Sequence, residues 1–161
     1  MSGLSHLDAD GRARMVDVTD KAVTDRTAVA EGRLTCAAET VERAIAGETP
    51  KGAVVSTAEL AGVMAAKRTA ELIPLCHPLP LTRVAVTVTP APDLPGFRIR
   101  AEVRTRGQTG VEMEALTAVS VAGLTLFDML KVIDRTMVIG AIQVTAKSGG
   151  RSGDWGEGAA T

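Results

Sequence analysis

Asp128 and Lys131 stand three residues apart in Phe127-Asp-Met-Leu-Lys131, a spacing that puts a carboxylate and an ammonium on neighbouring parts of one helix face. Such a pair can move protons, with Asp128 as base or orienter and Lys131 as proton donor or phosphate contact. Two more carboxylates, Glu112 and Glu114, flank Met113 in Gly110-Val-Glu-Met-Glu-Ala115. His77 sits in Leu72-Ile-Pro-Leu-Cys-His-Pro-Leu-Pro-Leu81, where prolines on both sides hold the backbone extended. A rigid imidazole with apolar flanks suits ligand recognition or proton transfer, although a satisfied linker histidine fits this segment taken alone at least as well. Cys76 beside it reads as a small hydrophobe rather than a nucleophile. Lys51-Gly52, at a loop-to-helix junction, can hold an anion through its ammonium and the free N–H groups of the first turn. Gly149-Gly150, between Lys147 and Arg151, can fold round a phosphate, although a solvated Gly-rich tail is the plainer reading.

These groups need elements to position them. The residues from 115 to 127 carry no charge, and the run is apolar round the whole circumference of a helix. That pattern predicts a helix over 111–133 buried on every side, and charged groups at the ends of such a helix must be paired, shifted in pKa or used for chemistry. Valines at 84, 86 and 88 alternate with polar residues, as do Phe97, Ile99, Ala101 and Val103 with Arg98, Arg100, Glu102 and Arg104, so two strands joined by a Pro-rich hairpin loop are expected. Further strands are expected at 26–33 and 138–144, with a short edge strand at 15–18. Thr35 looks like the N-cap of a helix over 36–46, and a second helical stretch, broken once, runs over 53–72 to the prolines.

The order β-α-(α)-β-β-α-β matches an α+β, ferredoxin-like split βαβ fold, an antiparallel sheet with helices on one face. One catalytic domain over 14–147 is expected between a mobile N-terminal arm at 1–13 and a Gly-rich C-terminal tail at 148–161. A single sheet covers only one side of the apolar helix, so a homo-oligomer is expected, with a second copy on the other side.

Composition removes other classes. Net charge is −1 and aromatics are 2%, so neither a basic field nor stacking rings point to nucleic acid. Cys36, Cys76, His6 and His77 show no metal-ligand spacing, and no metal is expected. The first residues include Asp8, Asp10 and Arg12 instead of an apolar signal core, and the longest uncharged run is too short for a bilayer, so no membrane partner is expected. Two cysteines suit a reducing compartment, and a cytoplasmic location is expected.

Taken together, Pro74-Leu-Cys-His-Pro78, Gly110-Val-Glu-Met-Glu-Ala-Leu-Thr117, Asp128-Met-Leu-Lys131 and Lys147-Ser-Gly-Gly150 with Trp155 resemble the molybdenum cofactor biosynthesis protein C family, the cyclic pyranopterin monophosphate synthases. The resemblance extends over nearly the whole chain. It implies a lyase that converts (8S)-3′,8-cyclo-7,8-dihydroguanosine 5′-triphosphate, supplied by a radical SAM enzyme, into cyclic pyranopterin monophosphate and diphosphate, with no cofactor. It also implies a hexamer, a trimer of dimers, with active sites between subunits. Carried over by position, it implies catalytic roles for Asp128, Lys131 and Lys51. Substrate contacts are implied for Leu75, Cys76, His77, Met113 and Glu114, and pocket roles for Glu112, Lys67 and Lys147. Phe127 stands where the family usually has tyrosine, so a phenolic hydrogen bond cannot be essential in this chain. Lys51-Gly52-Ala53 also lacks the acidic residue often third in that motif. A ligand sensor of the same fold would explain the oligomer but leaves the Asp128–Lys131 pair without a purpose.

Overall fold

A computed structural model describes residues 6–156. The elements are β1 (Thr24–Thr35), α1 (Ala38–Ile45), α2 (Val54–Lys67), α3 (Thr69–Leu72), β2 (Leu81–Ala91), β3 (Gly96–Gly107), α4 (Glu112–Leu130) and β4 (Val138–Ser148). The strands form one antiparallel sheet in the order β2-β3-β1-β4. This is the expected α+β, ferredoxin-like arrangement. The single break in the second helical stretch falls at Arg68, between α2 and α3.

Period-two alternation decides which face each strand side chain takes. Ala28, Ala30, Leu34, Val88, Phe97, Ile99, Ala101 and Val103 are buried toward the helices with Ala115, Ala118, Val119, Ala122, Leu126 and Leu130 of α4. Small residues bring the layers close. A Cβ on Gly32 would lie 2.8 Å from Val119 Cγ1, and one on Gly62 would lie 3.0 Å from the Ala118 carbonyl oxygen. The helices α2 and α4 therefore touch backbone to backbone. On the open face Glu102 gathers arginines of β2 and β3, with Arg104 at 2.9 Å, Arg100 at 3.4 Å and Arg83 at 3.9 Å.

Three sequence expectations need correction. Residues 15–18 form no strand; the Val16 carbonyl instead meets His77 Nε2 at 2.8 Å. Thr35 does not cap α1, because β1 runs through it and pairs it with Gly96 and Val138. The N-cap is Ala37, and a carboxylate from far along the chain, Asp134, accepts its N–H at 2.8 Å and the Thr40 hydroxyl at 3.1 Å. The third concerns α4, which is not buried on every side within one chain. Met113 is 37% exposed and Leu124 59%, with Leu116 and Phe127 half-buried on the same stripe. By length and composition alone α4 is long and apolar enough to cross a bilayer, and its packing on the sheet and α2 is how a core helix produces the same pattern.

Both ends of the described residues carry a short backbone pairing. Residues 1–5 and 157–161, parts of the expected arm and tail, lie outside the described residues. Leu7 bridges Ala13, and beyond β4 the chain turns back so that Lys147 and Trp155 exchange both backbone hydrogen bonds, at 2.9 and 3.0 Å.

Candidate active site

Asp128 lies on the last turn of α4, and the loop before α2 delivers Lys51 to it across 77 positions of sequence. Lys51 Nζ donates to Asp128 Oδ2 at 2.8 Å and to the Asp128 carbonyl at 3.1 Å. Lys131 Nζ meets Oδ1 at 2.7 Å. The backbone contact explains part of the attraction, since carbonyls of a last helical turn lack intrahelical partners and carry partial negative charge. All three side chains are substantially open to solvent, 41% for Lys51, 55% for Asp128 and 50% for Lys131. This end of α4 is therefore open, unlike the all-round burial expected of the helix over 111–133. The hydrogen bond from Lys131, then that from Lys51, holds the Asp128 carboxyl down at about 2, so it is ionised throughout the neutral range. Two ammonium groups around one carboxylate leave a net positive charge facing outward, suited to a phosphorylated ligand.

A second group gathers at the N-terminal end of α4. Glu112 Oε1 accepts from Lys147 Nζ at 2.6 Å, joining the start of α4 to the end of β4. Glu114 is buried, and desolvation raises its carboxyl pKa, with the charge of Glu112 adding to the rise and its own helix-end N–H opposing it. Burial also raises the Cys76 thiol, and the nearby Glu114 charge raises it further. Cys76 is thereby kept as a thiol, in keeping with its reading as a hydrophobe. His77 Nε2 faces the Val16 carbonyl, which can only accept, so that nitrogen carries the proton and a neutral ring offers Nδ1 as an acceptor. Asp17 nearby is held low by the Thr19 hydroxyl and N–H, with a smaller pull from His77. Leu75 and His77 line one hollow with Val16, Val18, Lys21 and Thr109.

The structure thus collects the named residues at opposite ends of one helix. Lys51, Asp128 and Lys131 form one group; Glu112, Glu114, Lys147 and Cys76, with His77 in the adjoining loop, form the other. Met113, on the first turn of α4 between Glu112 and Glu114, begins the uncovered stripe that runs toward Asp128. Lys67 belongs to neither, lying at the end of α2 in a separate groove with Leu79, Leu81 and Arg83. Sequence reasoning missed Asp134 and Arg26. The first is 8% exposed and accepts four hydrogen bonds from Ala37, Thr40 and Thr136. It anchors the segment just after the Asp128–Lys131 turn. Arg26 sits in β1 and donates to the Gly107 and Gln108 carbonyls at 3.0 and 3.1 Å. A lone arginine in a strand gives no sign of this in the sequence.

Comparison with known proteins adds an independent observation. Residues 15–150 match the MoaC family. The chain is 58% identical over 154 residues to a cyclic pyranopterin monophosphate synthase of Nostoc sp., covering 96% of this chain and 92% of that protein. A protein of the same name from Dinoroseobacter shibae is 58% identical over 153 residues, covering 95% and 97% of the two chains. Another from Chloroflexus aurantiacus is 60% identical over 152 residues, covering 94% and 93%. With the family match spanning most of the chain and full-length relatives at this identity, the chain belongs to the MoaC family.

Proposed function

We propose that this protein is a cyclic pyranopterin monophosphate synthase, a lyase of molybdenum cofactor biosynthesis acting on (8S)-3′,8-cyclo-7,8-dihydroguanosine 5′-triphosphate. The observation that supports this most is the Lys51–Asp128–Lys131 cluster, two cations within 2.8 Å of one exposed carboxylate. The reaction opens the guanine-derived ring, closes a pterin and forms a cyclic phosphate. In the last step a sugar oxygen bonds to the α-phosphorus, the bond to the bridging oxygen breaks and diphosphate departs. Each stage needs proton transfer and neutralisation of phosphate charge, which carboxylates and lysines supply without a redox group.

With its carboxyl at about 2, Asp128 is a weak base while both lysines hold it. A triphosphate that draws Lys51 and Lys131 toward its own oxygens would loosen that hold, raise the pKa of Asp128 and make it a better proton acceptor. The two lysines would then act as phosphate contacts and proton donors. At the other end of α4, Glu114, Cys76 and His77 suit the heterocycle, where a buried carboxyl of raised pKa can hydrogen-bond ring nitrogens. The two groups would serve one substrate only across a subunit boundary, so the assembly is a homo-oligomer, a trimer of dimers, with shared sites. Its setting is the reducing cytoplasm.

The test is to incubate the purified protein with the cyclised triphosphate and follow diphosphate release together with pterin fluorescence after oxidation. Both products should appear in equal amounts. Tight binding with neither product would replace the synthase by a ligand sensor.

A further inference from the structure

Between the Leu7–Ala13 bridge and β1, residues 14–23 form neither helix nor strand, yet contacts at both ends of the stretch 16–21 fasten it to the body of the protein. At one end the Val16 carbonyl meets His77 Nε2 at 2.8 Å. At the other, the Gln108 carboxamide, just past the end of β3, donates to the Thr19 carbonyl at 3.3 Å and to the Lys21 carbonyl at 3.1 Å. The single nitrogen of that amide carries two hydrogens, so it clamps both carbonyls at once.

The chain holds its own bend between these two attachments. Asp17 Oδ1 accepts the Thr19 N–H at 2.9 Å and the Thr19 hydroxyl at 2.6 Å, and the Lys21 N–H meets the Val18 carbonyl at 2.9 Å. An aspartate that takes the N–H two residues on mimics a backbone turn. A stretch without ladder or helical bonds owes its path to contacts of this kind, because each unfastened residue regains conformational entropy. The turn at Asp17 therefore transmits the hold of Gln108 to Val16.

Val16 in turn fixes a side chain of the site. A carbonyl can only accept, so His77 Nε2 keeps its proton and Nδ1 is the bare nitrogen of the neutral ring. Which nitrogen is bare, and which way it faces, decides whether an imidazole can take a substrate proton. We propose that residues 16–21 are a positioning strap for His77, set by two positioning residues, Asp17 through its turn and Gln108 through its clamp. The strap locks the ring with Nε2 toward Val16 and presents Nδ1 as the acceptor toward the substrate. The inference rests on the synthase reading and adds to it two residues that reach the reaction only through His77.

The test follows the Nε2 proton of His77 by NMR in the full-length protein carrying isotopically labelled histidine. In a His6→Gln background His77 is the only histidine. Held by the Val16 carbonyl, its ring proton should exchange slowly with water and give a resolved signal. Asp17 is exposed and belongs to no helix or strand, so Asp17→Ala leaves the core untouched. It should abolish the turn, speed exchange of the ring proton about tenfold or more and lower kcat by a similar factor, with KM changed much less. Gln108→Leu should do the same by freeing Thr19 and Lys21. Asp17→Asn removes the charge but keeps an oxygen for the Thr19 N–H, so it should retain the protected proton and most of the turnover. Asp93→Ala, which opens the pair with Arg98 at the other end of β3, should change neither. A ring proton as well protected in Asp17→Ala and Gln108→Leu as in the parent, or a loss in Asp17→Asn as large as in Asp17→Ala, would overturn the strap. Failure of the synthase reading looks different: the ring proton would respond to Asp17→Ala as stated, while no form of the protein, parent included, turned over the cyclised triphosphate.

Discussion

Glu114 and Asp128 lie on one helix, and that geometry makes the sharing of sites between chains testable. Fourteen residues at about 1.5 Å of rise place them roughly 21 Å apart, and fourteen steps of about 100° bring them back to within about 40° of the same direction. A substrate the size of a nucleotide cannot touch both on the same chain with short contacts. A second α4 laid antiparallel on the stripe of Met113, Leu116, Leu124 and Phe127 brings its own Glu114 to this chain's Asp128. The dyad then passes near Val121, midway between them on the helix. The perturbation is to purify Glu114→Gln and Asp128→Asn proteins, each reduced about 100-fold or more in turnover, and to exchange their subunits in equal amounts. Random pairing makes half of the dimers mixed, and each mixed dimer carries one site with both substitutions and one with neither. Recovered activity should therefore reach about a quarter of wild type, some 25-fold above either parent. The readout is diphosphate release after subunit exchange has been followed by native mass spectrometry. Mixed oligomers that stay at the parental rate would refute the antiparallel arrangement, and would mean that both residues act from one chain or that only one of them is catalytic.

Four further outcomes follow from the same structure. Leu124→Asp places a charge on the uncovered stripe; the chain should fold with unchanged circular dichroism, yet sedimentation should show a smaller species and turnover should fall at least tenfold, since an unpaired charge in a buried interface costs several kcal/mol. Lys51→Met removes one of the two cations that hold Asp128 low, so the Asp128 carboxyl, followed by NMR titration, should move up from about 2 toward 3.8, and affinity for the triphosphate should fall more than for its nucleoside. Asp134 is likewise held at about 2, against an ordinary 3.8, by the Ala37 N–H and the other donors around it, so its stabilisation is complete above about pH 4 and disappears as pH falls through 2. Asp134→Asn should therefore cost about 1–3 kcal/mol in urea unfolding at pH 7 and progressively less in acid; a loss that does not shrink below pH 3 would contradict the assignment. Finally, Gly32→Ala forces a Cβ into contact with Val119 and Ile142 and should lower stability by about 1–3 kcal/mol, read from the urea midpoint.

What the sequence shows and what it hides divide by distance along the chain. The alternation in β2 and β3 and the uncharged run of α4 are local patterns, so period and length alone locate them. The start of α1 is not local, because its cap is Asp134, 97 positions after the Ala37 N–H it accepts, and Thr35 offered a false cap nearby. The segment at 15–18 alternates like a strand, but strand pairing also needs a free edge in register, and here the Val16 carbonyl answers His77 instead. The site divides in the same way. The spacing of Asp128 and Lys131 is legible from the helix period, whereas Lys51 joins them from 77 residues away and nothing local announces it. The absence of charge in α4 predicts burial, yet hydrophobicity records what must be covered, not what covers it. Asp128 reaches its low pKa in water, by pairing with two cations rather than by leaving solvent, and this bears on mechanism. A carboxylate held low by exposed lysines can be released by a ligand that competes for those lysines, whereas a buried ion pair would have to be broken at the full cost of an unpaired charge. On the synthase reading proposed above, the open cluster is therefore the arrangement in which arrival of a polyphosphate switches Asp128 on as a base.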